Sequence, residues 1–140
     1  MSAYDPQNIF AKILRGEAPC VKIHEDEVSL SFMDIMPRVK GHSLVIPKFP
    51  ARNLLDIPRE TLAAFMPAVQ RIAIAAKKAL AADGISVMQF NETAGGQVVF
   101  HLHFHVMPRW EGVALRPHEG KMADPAKLKA FADKIRAALV

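Results

Sequence analysis

Cysteine, tryptophan and tyrosine each occur once in the 140 residues. A lone Cys20 excludes an intramolecular disulfide and makes a cysteine-based zinc site a poor expectation. No stretch approaches the roughly 18 to 20 apolar residues that a membrane span needs. The opening residues, MSAYDPQNIF, lack the basic-then-apolar order of a secretory signal, so a cytoplasmic protein with no membrane partner is expected. Basic residues outnumber acidic ones by 18 to 14. They are scattered, and aromatics make up only 7% of the chain. A nucleic-acid surface clusters its cations in a stripe with interleaved aromatics, so nucleic-acid binding is not expected. What remains is ordinary globular composition, 51% hydrophobic and 23% charged, at a length that suits one domain over residues 1–140.

Hydrophobic spacing places the elements. Ile9, Phe10, Ile13 and Leu14 share one stripe of a short helix ended by Gly16. VKIH and VSLSFMD read as strands joined through Glu25 to Glu27, and HSLVIP as a third strand stopped by Pro47. IPRETLAAFMPAVQRIAIAAKKALAADG reads as a long helix. Asp56 is expected to cap its start, with Pro58 in the first turn and Gly84 at the C-terminal cap. Leu62, Phe65, Met66, Val69, Ile72, Ala73, Ala76 and Leu80 form its buried stripe, and Pro67 is expected to bend or split it. ISVMQF and VVFHLHFHVMP read as two further strands joined by NETAGGQ. A last helix is expected over about 125–139, opened by Asp124 and Pro125. Short connections between successive strands favour an antiparallel sheet, giving an α+β class.

Within VVFHLHFHVMP, His101, His103 and His105 alternate with Leu102 and Phe104. On an extended strand the three imidazoles share one face at intervals of roughly 6.5 to 7 Å, while Leu102, Phe104 and Val106 face the other way onto a helix. Any polar residue serves on a merely wet face, so chance makes three histidines improbable. A metal site is a second reading. Neighbouring histidines can reach one zinc ion, but the outer two stand about 13 Å apart, so a third ligand has to come from His42 or a carboxylate. The third reading is covalent phosphorus chemistry. A neutral imidazole attacks phosphorus through one nitrogen while an acceptor holds the proton on the other, and its neighbours handle protons near pH 7. This reading accounts best for the spacing.

GQVVFHLHFHVMPR resembles the signature of the histidine triad (HIT) family, His-x-His-x-His followed by two hydrophobic positions. NIFAKILRGEAPC, FMDIMPRVKGHSLVIPK and NETAGGQVVFHLHFHV resemble the corresponding blocks of bacterial members, in the same order and at similar spacings. The resemblance implies a HIT-like α+β fold: an antiparallel sheet of about five strands, one long central helix, a short N-terminal helix and a C-terminal helix. It also implies a homodimer, and hydrolysis or transfer of nucleoside monophosphates through a nucleotidyl-histidine intermediate.

Residue by residue, the resemblance makes His103 the nucleophile. His101 and His105 become the flanking members that orient its ring and contact phosphate or leaving group, and His42 a fourth site histidine. Gln97 and Asn91 match loop positions near the phosphate, Asp34 a carboxylate that takes both ribose hydroxyls, and Ile35 and Phe10 apolar positions around a purine base. Arg109 and Trp110 follow the triad as weaker candidates for leaving-group or dimer contacts. Ala11 stands at a position where relatives with a structural zinc carry cysteine, so no metal and no other cofactor is expected. His105 occupies the place of the glutamine typical of the nucleotidyltransferase branch, which favours water as acceptor. Val98 stands where the phosphoramidase branch often has serine. The expected activity is therefore hydrolysis of nucleoside phosphoramidates or dinucleoside polyphosphates. The rival readings are a non-catalytic nucleotide-binding regulator and a metal-binding protein.

Overall fold

The computed structural model of the protein describes residues 3–117 and 121–140. The element order is α1 (Ile9–Leu14), β1 (Lys22–Glu25), β2 (Ser29–Met33), β3 (Ser43–Pro47), α2 (Arg59–Ala79), β4 (Gly84–Met88), a 3₁₀ turn (Thr93–Gly95), β5 (Phe104–Arg109) and α3 (Pro125–Ala137). The strands form one antiparallel sheet in the order β1-β2-β3-β5-β4. The class is α+β, as expected.

Alternation along the central strands sends apolar side chains to both faces. Met33, Val45, Leu102, Phe104 and Val106 meet Phe65, Val69, Ile72 and Ala76 of α2 and Leu128, Ala132 and Ile135 of α3 in the main core. On the other face Leu30, Phe32, Leu44 and Ile46 form a smaller cluster under Phe10 of α1. α1 starts where the Asn8 side chain accepts a hydrogen bond from the Ala11 amide, and the chain leaves it through Gly16 at φ 78°, the left-handed conformation that glycine adopts without cost. α3 covers the sheet at β1. There the register slips between Lys22 and His24, and Arg136 Nε donates to the carbonyl of the slipped residue, Ile23, at 3.0 Å. β4 is the opposite edge, with Val87 exposed.

Several local expectations are corrected. Pro67 does not split α2, which runs unbroken over 21 residues. Asp56 does not cap it. Its carboxylate accepts from the Arg52 and Asn53 amides, closing the preceding turn, and Pro58 is the N-cap with no side-chain bond. Gly84 does not end the helix either. α2 stops at Ala79, Ala81 takes the left-handed turn at φ 48°, and Gly84 begins β4. α3 does start at Asp124, which accepts from the Ala126 amide.

The strand expected from Val98 begins only at Phe104. Its ladder with β3 ends at the pair Val45↔Phe104. Two residues further along β3 stands Pro47, which has no N–H to extend a ladder. The Pro47 carbonyl accepts instead from the His101 ring, and the Leu102 amide donates to Ala51 O.

Candidate active site

Four of the histidines gather on the sheet face under α1. Accessibility grades along the triplet: His101 is 0% exposed, His103 9%, and His105 half-buried. The two outer histidines are therefore not equivalent, a difference that a regular strand does not supply. His101 is sealed inside, with no surface open to solvent. It still orients the middle ring, through its backbone: His103 Nδ1 lies 2.6 Å from His101 O. A carbonyl only accepts, so His103 Nδ1 carries the proton and Nε2 keeps a lone pair. The His103 ring is wedged edge-on against Phe10, with centroids 5.0 Å apart at 89°, and lies 5.1 Å from the His105 ring. Burial lowers the His103 imidazole below its ordinary value, against the opposing pull of the hydrogen bond to His101. The ring therefore stays neutral in slightly acid water.

His42 is buried at the start of β3 and fixes the third ring. The Arg38 amide donates to His42 Nδ1 at 3.0 Å, so the His42 proton sits on Nε2. That atom is 2.9 Å from His105 Nδ1 and 3.4 Å from Asp34 Oδ2. His105 Nδ1 then accepts, and its own proton sits on Nε2. Asp34 Oδ1 accepts from the Met36 amide at 2.8 Å. Phe90, which sequence reasoning missed, closes over His105 with ring centroids 5.7 Å apart.

Asp34, His42 and His105 bring three donor atoms within 4.8 Å of one another, the one such group of metal-ligating side chains among the described residues. The hydrogen-bond pattern does not suit an ion there. The atom that His42 turns toward the others carries the proton, and moving it to Nδ1 would set two N–H groups against each other at Arg38. As built, the His42 Nε2 proton lies between the other two members, 2.9 Å from His105 Nδ1 and 3.4 Å from Asp34 Oδ2.

The loop before the triad is tied down by side chains expected to face a ligand. Gln97 is buried. Its carbonyl oxygen accepts from the Glu92 amide at 2.8 Å and Asn53 Nδ2 at 3.1 Å, and its amide donates to Arg52 O at 2.7 Å and Val99 O at 3.0 Å. With every hydrogen-bonding position filled inside the protein, Gln97 braces the loop. Asn91 is also engaged, accepting from the Leu54 amide and exchanging hydrogen bonds with Gln89. Arg52 pairs with Glu92 at 2.8 Å and lies 4.2 Å over the Phe100 ring. Gly96, at φ 100°, packs so closely that an added Cβ would stand 3.3 Å from Phe90. Phe10 is a wall for His103 rather than an open surface for a base, whereas Ile35 is 43% exposed. Arg109 and Trp110 turn elsewhere, donating to Ser86 Oγ and Ala81 O.

Gly41 precedes His42 at φ 78°, and a Cβ there would overlap Leu80 Cδ1 and stand 3.1 Å from Pro108 Cγ. Gly41→Ala is expected to cost about 1–2 kcal/mol from the left-handed backbone alone and to displace His42. Denaturant melts and kcat, measured together, check both effects.

Burial pushes the His101 imidazole down to about 4, with the Pro47 hydrogen bond opposing and His103 adding to it. An unfolded imidazole titrates near 6.5. Between these values the unfolded chain binds a proton that the folded one refuses. Stability is therefore full above pH 6.5 and falls as the pH drops toward 4, by on the order of 3 kcal/mol. Urea melts between pH 7 and 5, above the carboxylate range, should show the onset. A flat profile there contradicts the assignment.

Fold and site together define an α+β domain whose sheet face carries four histidines in two hydrogen-bonded pairs, His101 with His103 and His42 with His105. The HIT domain family matches residues 15–112. Adenylylsulfatase HINT3 of Arabidopsis thaliana is 39% identical over 120 residues, 81% of this chain, and the chain spans only 61% of that protein's length. Adenosine 5'-monophosphoramidase hnt1 of Schizosaccharomyces pombe is 37% identical over 123 residues, covering 81% of this chain and 90% of that protein. A Hit-like protein involved in cell-cycle regulation from Bartonella henselae superimposes with a TM-score of 0.94 at 55% identity, over 99% of this chain and 100% of that one. The chain belongs to the histidine triad family. Its relatives include nucleotide hydrolases, and hydrolysis of a nucleotide-type substrate is the activity they support.

Proposed function

We propose that this chain hydrolyses nucleoside phosphoramidates or related substrates with a leaving group on the α-phosphorus, through a nucleotidyl intermediate on His103. The observation that carries this is the bond from His103 Nδ1–H to His101 O, which holds the ring in the tautomer whose Nε2 lone pair attacks phosphorus. In this reading the Nε2–P bond forms as the bond to the leaving group breaks. The departing nitrogen or oxygen takes the proton that His105 Nε2 turns toward it, oriented by the His42 contact at 2.9 Å, and a proton from solvent replaces it so that the ring stays neutral. Water then attacks phosphorus, its proton passes out to solvent, and the nucleoside monophosphate is freed from His103. Asp34 takes the ribose hydroxyls, Ile35 lies against a purine base, and Asn91 helps to shape the phosphate end.

The names of the plant and yeast relatives add weight to a phosphorus centre with a nitrogen or sulfate leaving group. The test is a panel of adenosine 5'-phosphoramidate, adenylyl sulfate, diadenosine triphosphate and diadenosine tetraphosphate, read by AMP release. Turnover of at least one is expected, with the acid limb of kcat/KM below pH 6.5 because burial lowers His103. No release from any of the four sinks the proposal. The working form in this reading is a cytoplasmic homodimer joined along the β4 edge, which light scattering of the purified protein checks.

A further inference from the structure

Tyr4 lies before α1 and outside the residues that match the family, yet its hydroxyl reaches the triad. Tyr4 Oη is 2.5 Å from His101 Nδ1, and the two rings meet edge-on at 5.6 Å and 71°. The direction of this bond follows from the other end of the ring. His101 Nε2 is 2.8 Å from Pro47 O, which only accepts, so Nε2 carries the proton. A neutral imidazole has one N–H, so Nδ1 is an acceptor and the Tyr4 hydroxyl is its donor. Burial supports both roles: it holds His101 neutral and raises the Tyr4 phenol above its ordinary value, so the phenol keeps its proton.

His101 is thus pinned at both ring nitrogens, by partners 97 and 54 residues away in sequence. This matters because no sheet ladder holds residue 101, since β5 starts three residues later. The His101 backbone nevertheless supplies the carbonyl that receives His103 Nδ1–H. The ring of one residue anchors the carbonyl that sets the tautomer of the next.

We propose that Tyr4 is a positioning residue for the nucleophile, its hydroxyl holding His101 so that the His101 carbonyl keeps the His103 proton on Nδ1. This rests on the reading of His103 as nucleophile. Without the hydroxyl, residue 101 is released at one end, and the His103 ring is free to carry its proton on Nε2, where it cannot attack.

The experiment uses the full chain with nitrogen-15 histidine and long-range proton–nitrogen correlation spectra at pH 7. In the wild type, His101 should show a protonated Nε2 and His103 a protonated Nδ1. Tyr4→Phe keeps the ring packing and removes the hydroxyl, with its bond to His101 and its contact with the Asn8 side chain. His103 is then expected to show averaged tautomer shifts, and kcat for adenosine 5'-phosphoramidate to fall roughly tenfold with KM nearly unchanged, the scale of a small misplacement of a reacting group. Wild-type spectra with His101 protonated on Nδ1 overturn the proposal before any variant is made. So do unaltered His103 shifts, or unaltered kcat, in a folded Tyr4→Phe protein. If wild-type protein turns over none of the substrates, the functional reading fails, while the nitrogen shifts still decide whether Tyr4 sets the tautomer.

Discussion

His103→Ala is expected to lower kcat/KM by at least about 10⁴-fold, the scale on which removal of a covalent nucleophile acts. The loss should appear in kcat, because the ring makes its bond to phosphorus in the reaction and little of the ground-state contact. The fold should survive. His103 touches Phe10 and His105 at the edge of the smaller core rather than its centre, and alanine leaves neither a charge nor an unpaired donor there. It does leave the His101 carbonyl without the His103 proton, so a modest loss of stability of about 1 kcal/mol accompanies it. Substrate quenched with wild-type enzyme should yield a mass adduct of one nucleoside monophosphate on the peptide that contains residue 103. Near-normal turnover by the alanine variant, or an adduct on another side chain, ends the case for this mechanism.

Phe65→Ala is expected to have the largest effect on stability. Phe65 lies in the N-terminal half of the α2 stripe, 0% exposed, with its ring 5.8 Å from Phe104 at the start of β5. Truncating a fully buried phenylalanine costs about 3–5 kcal/mol, through lost transfer energy and the cavity left behind. For a chain of this size each kcal/mol lowers the melting temperature by roughly 3–5 °C, so a drop of about 10–20 °C is expected by calorimetry. At low temperature, where the variant stays folded, kcat should remain within a few-fold of wild type, because Phe65 reaches the histidines only through Phe104 and the opposite sheet face. The two substitutions thus separate chemistry from framework. A Phe65→Ala protein with intact stability would mean that the core is not centred on this helix face.

How much of this was legible in the sequence depended on how local each cause was. The alternation of Leu102, Phe104 and Val106 with the histidines predicts which side chains enter the main core, and it holds even where the strand does not. The α2 stripe is equally local, since a period of 3.6 residues fixes which residues share a face. Caps were less legible. Asp56 has the right chemistry for a helix start, but the amides of Arg52 and Asn53 reach its carboxylate first. The partners of Gln97 were hidden for a similar reason: an amide beside two glycines does not announce them, and only the packed loop shows Arg52, Asn53, Glu92 and Val99 filling its hydrogen bonds. Phe90 and Tyr4 carried no signal at all, because an aromatic residue announces neither its partner nor its direction.

By itself, then, the sequence determined the sheet class, the long helix and the clustering of imidazoles, because side-chain direction along a strand or helix follows from backbone period alone. Tertiary structure decided which imidazole is sealed, which nitrogen of each ring holds the proton, and which loop amide is a brace. Those properties depend on single acceptors and donors brought in from distant parts of the chain: the Pro47 carbonyl, the Arg38 amide and the Tyr4 hydroxyl. Hydrogen bonds of this kind are set within tenths of an ångström, and no spacing rule in one dimension carries that information.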